Sequence, residues 1–181
     1  QKSFSKPVRF AKSIEVAFNA GPVAFYNNRS KMIFVASSQS ANDDGNRPLG
    51  LYFATLRGVK WTTTSAWTHN NVTFSISDVS INNDGNRIYF SSNMKGGLGG
   101  KDIYMSTLKD GAWSKPVNLG ESINTKRDES FPYIHRNGTL YFSSDGHPGM
   151  GGLDIFKSTI KQDGYSEPEN VGFPINSNGD D

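Results

Sequence analysis

The chain has 181 residues, the length of one domain, and only 35% of them are hydrophobic, which suits several thin cores between small sheets better than one thick core. The net charge of +2 comes from mixed signs and excludes the clustered basic face of a nucleic-acid groove. The absence of cysteine excludes disulfides and thiolate chemistry, and no apolar run reaches the roughly 18 residues of a bilayer-spanning helix.

In chain order, the predicted elements repeat. Phe4-Ser5-Lys6-Pro7-Val8 has the form of an outer strand, so residues 1–20 read as the last strand of a preceding unit plus a linker. A first unit, 21–68, holds the strand Ile33-Phe34-Val35-Ala36-Ser37-Ser38, a long polar loop at 39–50, a strand opening on Leu51-Tyr52, and Trp61. The second, 69–120, holds the turn Asp84-Gly85, the strand Tyr89-Phe90-Ser91-Ser92, a glycine-rich loop at 96–100, and a strand beginning at Ile103. It closes with the turn Asp110-Gly111 and the segment Trp113-Ser114-Lys115-Pro116-Val117-Asn118-Leu119-Gly120. The third, 121–172, repeats this with Asn137-Gly138, a strong hairpin signal, then Tyr141-Phe142-Ser143-Ser144, the loop 146–152, Asp154-Ile155-Phe156 and Tyr165-Ser166-Glu167-Pro168. Three landmarks recur at one spacing of 52 residues: Tyr89 with Tyr141, Asp102 with Asp154, and Trp113 with Tyr165. Residues 173–181 begin the next connection. Four short antiparallel strands per unit, with no helical periodicity, predict an all-β chain of about three β-propeller blades.

The phrases that carry the repeat resemble a known family. Ile123-Asn124-Thr125, Asp128-Glu129-Ser130-Phe131-Pro132 and Gly146-His147-Pro148-Gly149-Met150-Gly151-Gly152-Leu153-Asp154-Ile155-Phe156 are similar to the WD-like repeat of the TolB type. The version in OmpA-family outer-membrane proteins of Bacteroidetes is the nearer match, strong over 77–181 and weaker over 1–76. Such propellers usually have six blades. The resemblance therefore implies that this is part of a larger propeller, with the remaining blades supplied by the same or another chain. It also implies a periplasmic, outer-membrane-associated place beside secretion or gliding machinery, with protein partners in the envelope. Peptidoglycan would be reached only through a domain outside this sequence, and no membrane span or nucleic acid is involved.

The candidate chemistry is weighed against the repeat. The loop Gly96-Gly97-Leu98-Gly99-Gly100-Lys101-Asp102 has the glycines and lysine of a phosphate cradle, but it opens a strand where a cradle opens a helix. Asp102 and Asp154 read as acceptors for loop N–H groups. The three histidines, His69, His135 and His147, fall at different places in the repeat, so no metal triad is expected. The serine pairs recur in every unit, unlike a nucleophile. Five residues stand outside the repeat and become candidate contacts for a ligand or partner: Trp67 and His69 in a polar loop, and Asp78, Asp128 and Glu129 near the inner strands. No catalytic residue, metal or cofactor is assigned.

Two functions follow. The first is a non-catalytic scaffold or protein-binding propeller of the cell envelope, using the loops at 38–47 and 67–73 where the units differ. The second is a glycan-binding or glycan-cleaving propeller with a site at the channel mouth, built from Asp78, Asp128 and Glu129. Carboxylates buried in bonds to backbone would count against that site. The scarcity of unrepeated chemistry favours the first, and a chain that is not an enzyme.

Overall fold

The computed structural model describes residues 5, 6, 10, 11, 13, 14 and 19–181. The outer strand expected at 4–8 lies outside them except for Ser5 and Lys6. Among the described residues every regular element is a strand, and the strands form three antiparallel sheets. The first is β1 (Ala20–Tyr26), β2 (Lys31–Ser37), β3 (Leu49–Arg57) and β4 (Lys60–Ala66), in that order. The second is β5 (Ile76–Ile81), β6 (Arg87–Ser92), β7 (Asp102–Lys109) and β8 (Ala112–Trp113), with β9 (Val117–Asn118) also on β7. The third repeats the second as β10 (Glu129–Ile134), β11 (Thr139–Ser144), β12 (Asp154–Lys161), β13 (Gly164–Tyr165) and β14 (Glu169–Asn170). These are β-propeller blades. The first strand of each is innermost, and β5 lies between β1 and β10.

Local chemistry accounts for the strand breaks. Asp110 and Gly111 both have positive φ, 51° and 79°, the backbone of the tight turn whose twist matches a hairpin, and they join β7 to β8. The outer strand splits into two short pieces in the second and third blades, at Ser114-Lys115-Pro116 and Ser166-Glu167-Pro168. Proline has no N–H to give to the ladder. The first blade has Thr62-Thr63-Thr64 after its tryptophan, and β4 runs unbroken to Ala66.

Strand alternation gives each blade two apolar faces. Ile88 and Phe90 of β6 join Ile33, Val35, Leu51 and Phe53 in the core between the first two blades. Tyr89 and Ile103, on the opposite face, join Leu140, Phe142 and Phe156 in the core between the second and third. The outer-strand aromatics tie neighbouring blades together. Trp113 stacks on Phe53 of the preceding blade at 5.6 Å and 12°, and the Tyr165 hydroxyl donates to that of Tyr89 at 3.3 Å. These rings cover the blade before them.

Candidate functional site

The repeated polar residues are spent on joining blades. Asn124 accepts a hydrogen bond from the Ile103 N–H (2.7 Å) and donates to the Ile103 carbonyl (3.0 Å). Asn176 makes the same pair with Ile155, at 2.9 Å each. Asn70 does so with Leu51, at 2.9 and 2.8 Å. Each amide therefore substitutes for a missing strand and fastens one blade to the connection that follows it. The glycine-rich loops are held from inside, with Asp102 accepting from the N–H groups of Leu98 and Gly99. Asp154 accepts from Met150 and Gly151, so the loops are strand connections fixed by an aspartate.

The acidic candidates belong to this framework. Glu129 is fully buried and accepts from the Thr125 N–H (2.8 Å), the Thr125 hydroxyl (2.7 Å) and the Ser144 hydroxyl (2.7 Å). Asp128 accepts from the Lys101 N–H at 2.9 Å. Fifty-two residues on, Asp180 accepts from Leu153 N–H and Asp181 from both groups of Ser177. The adjacent pair is thus a repeated clasp. Asp78, 7% exposed, accepts from the hydroxyls of Ser91 (2.6 Å) and Ser77 (3.0 Å). The structure does not bring these three carboxylates together around one open position.

Trp67 corrects a sequence expectation. It is 2% exposed and packs at 5.2 Å against Phe90 in the core between the first two blades. Its backbone N–H bonds to Leu51 O, as those of Leu119 and Val171 bond to Ile103 O and Ile155 O. The position is therefore repeated, with an apolar side chain of different size each time. His69 is half-buried, 5.1 Å from the Trp67 ring, with Nε2 2.9 Å from the Trp113 carbonyl oxygen. That contact assigns the proton to Nε2, which donates. His147 does the same for the Ile123 carbonyl, at 2.9 Å.

What escapes the framework is a rim of the first blade. The loop between β2 and β3 lacks a repeated counterpart in sequence, the loop between β4 and β5 shares only the Trp67 and Asn70 positions with the repeat, and the fold brings the two side by side. The Leu49 N–H donates to Ser75 Oγ at 3.2 Å. Between them lies a cleft of about 310 Å³, lined by Ser38, Ser40, Tyr52, Asn70, Asn71 and Val72 among others. A neighbouring hollow of about 250 Å³ shares Pro48 and Val72 with it. Tyr52 stacks on Phe34 at 5.7 Å. Burial pushes its phenol above the usual tyrosine range, so the hydroxyl stays protonated. Asn71 Oδ1 accepts from the Thr73 N–H at 3.0 Å, leaving the amide nitrogen to donate outward. The cleft offers hydroxyls, a primary amide and an aromatic ring, and the loops that form it are two of the variable segments singled out by the sequence.

No protein-family model matches the chain, and no curated protein matches it. Solved structures do. An alpha-L-arabinofuranosidase from Lactobacillus brevis is similar over 80% of this chain and 53% of its own, at 15% identity and a TM-score of 0.52. A puromycin-hydrolyzing peptidase of Mycobacterium tuberculosis is similar over 81% of this chain and 23% of its own, at 11% identity and a TM-score of 0.51. A sialidase of Trypanosoma rangeli aligns more loosely, at 13% identity and a TM-score of 0.42. The chain thus spans about half the length of the arabinofuranosidase and less than a quarter of the peptidase. These likenesses show the fold and assign no activity. They do overturn the expectation that the chain is not an enzyme. That expectation rested on motifs being explained by blade architecture, and the structures it resembles are enzymes.

Proposed function

We propose that this chain is a glycan-directed β-propeller segment that recognises sugar in the rim cleft of its first blade. The observation that carries the reading is the convergence of the two variable loops on a cleft of about 310 Å³, within the range of small-molecule sites. Ring carbons of a sugar would lie on Tyr52, and its hydroxyls would meet Ser38, Ser40 and Asn71. The arabinofuranosidase, which by name acts on a sugar, lends support to a propeller of this kind handling glycans. The resemblance to the TolB and OmpA-type repeat adds a setting to the proposal: the periplasmic side of a bacterial outer membrane, with envelope proteins as partners. Further blades would pack on the third blade, against Tyr133 and Tyr141, whose rings lie 6.3 Å apart on its far face.

Calorimetric titration with a panel of neutral mono- and oligosaccharides, including arabinofuranosides, tests the reading. The expected result is binding of at least one member, weakened about tenfold (~1.4 kcal/mol) in Tyr52→Ala and in Asn71→Ala. Asn71 is exposed, so its variant should keep the wild-type melting temperature. The same panel as aryl glycosides reads out cleavage. Absence of binding across the panel, or affinities unchanged in both variants, overturns the proposal.

A further inference from the structure

A second cleft lies at the other end of β5, some six residues of strand away from the rim cleft, between the second and third blades. It has a volume of about 260 Å³. The turns after β5 and β10 form its edges, and Arg87, Tyr89, Ile134, His135 and Arg136 lie along it, with Asp84 its one carboxylate.

Two guanidinium groups, Arg87 and Arg136, line it against the single carboxylate of Asp84. Arg87 opens β6 on the face turned toward the third blade, beside Tyr89. Its Nε is buried and has no hydrogen-bond partner among the described residues. A buried guanidinium N–H left unmatched is uncommon, because its desolvation is uncompensated. No carboxylate lies within ion-pair distance of Arg87 or Arg136 among the described residues. Tyr89 is fully buried and accepts from the Tyr165 hydroxyl at 3.3 Å, so its own O–H proton is available to donate. Burial pushes the Tyr165 phenol well above the usual range and keeps that donor in place. The turn that carries Arg87 is rigid. Asn82 Oδ1 accepts from the N–H groups of Asn86 (3.0 Å) and Arg87 (2.9 Å), and Gly85 N–H bonds to Asn82 O at 2.9 Å. The backbone from which Arg87 projects is therefore fixed.

From this arrangement we infer that the cleft between the second and third blades binds a small carboxylate ligand of monosaccharide size. Arg87 takes the carboxylate through its planar fork, Tyr89 donates to it, and Arg136 adds charge at the mouth. Ile134 and Ile160 supply the apolar wall for the rest of the ligand. The inference is independent of the rim cleft and concerns a different end of the blades.

The test is titration of the whole chain with D-glucuronate, D-glucose, N-acetylglycine and inorganic phosphate. Either carboxylate should bind, and the tighter of the two tells whether the source is a sugar acid or an amino-acid-like carboxylate. Arg87→Gln should weaken that binding at least about tenfold, and Arg136→Gln should weaken it less. Arg87→Lys keeps the charge and loses the fork. It should bind more weakly than wild type, and it serves should Arg87→Gln fail to fold. Neutral-glycan binding at the rim should be unchanged in all three variants, which separates failure here from failure there. Three results would overturn the inference: no carboxylate binding, phosphate binding as tightly as both carboxylates, or wild-type carboxylate affinity in the Arg87 variants.

Discussion

Asn124→Ala is expected to destabilise the chain by about 3 kcal/mol, a fall in melting temperature of roughly 6–12 °C for a domain of this size. Asn124 is 2% exposed, and its amide satisfies both the N–H and the carbonyl of Ile103, which is itself fully buried. It also donates to Asn118 Oδ1 at 2.8 Å. Alanine would leave the Ile103 N–H unmatched in a place water does not reach, at about 1–3 kcal/mol, and would remove one of two hydrogen bonds to its carbonyl, at about 1 kcal/mol, the Leu119 N–H keeping the other. No neighbouring group can replace the lost acceptor of the Ile103 N–H, because the third strand of the second blade has no further strand to pair with at that residue. Thermal melts of Asn124→Ala beside Asn71→Ala check this. Asn71 lies exposed on a loop, and its replacement should shift the midpoint little. A small shift for Asn124→Ala would show that the amide is not what joins the second and third blades.

Gly99→Ala should cost about 3 kcal/mol, near the upper end for an overpacked site. A Cβ on Gly99 would meet backbone on the other side of the junction, including Thr125 O at 2.7 Å and Arg127 N at 2.9 Å. Backbone cannot rotate out of the way as a side chain can. The loop after β6 and the connection before β10 would have to separate. The bond from Gly100 N–H to Arg127 O, 3.1 Å, and that from Lys101 N–H to Asp128, 2.9 Å, would loosen with them. Gly58→Ala is the control. Its φ is +60°, but open space surrounds it, so only a backbone penalty of about 1 kcal/mol is expected. Equal losses in the two variants, measured by denaturant unfolding, would show that conformation and not close approach explains the glycine at 99.

Much of the fold was legible because propeller blades repeat in sequence what they repeat in space. The strand Tyr89-Phe90-Ser91-Ser92 and its copy at 141–144 became β6 and β11, and Trp113 and Tyr165 became the outer-strand aromatics. What escaped is what identity at a fixed offset does not detect. Trp67, Leu119 and Val171 occupy one position, but their volumes differ, so Trp67 read as an isolated polar-loop residue. Asn70 clamps Leu51 as Asn124 clamps Ile103, yet it stands 54 residues before Asn124, and an indel hides the match. The second acidic pair, Asp180-Asp181, was visible 52 residues after Asp128-Glu129 and marks both as clasps. For the proposed site, sequence variation pointed to the loops at 38–47 and 67–73. That they meet depends on a contact between Leu49 and Ser75, which no periodicity encodes. Arg87 carries no sequence signal at all. Its interest lies in a buried Nε, a property of packing between blades.

The claim that recognition belongs to the rim of the first blade, and not to the acidic clasps between blades, is tested most directly by mapping backbone amide shifts by NMR as a bound neutral glycan is titrated in. The account predicts shifts concentrated in residues 38–52 and 67–75, with the clasps at Asp128-Glu129 and Asp180-Asp181 unmoved. Shifts centred on those clasps or on the inner strand β10, with the first-blade loops silent, would contradict it.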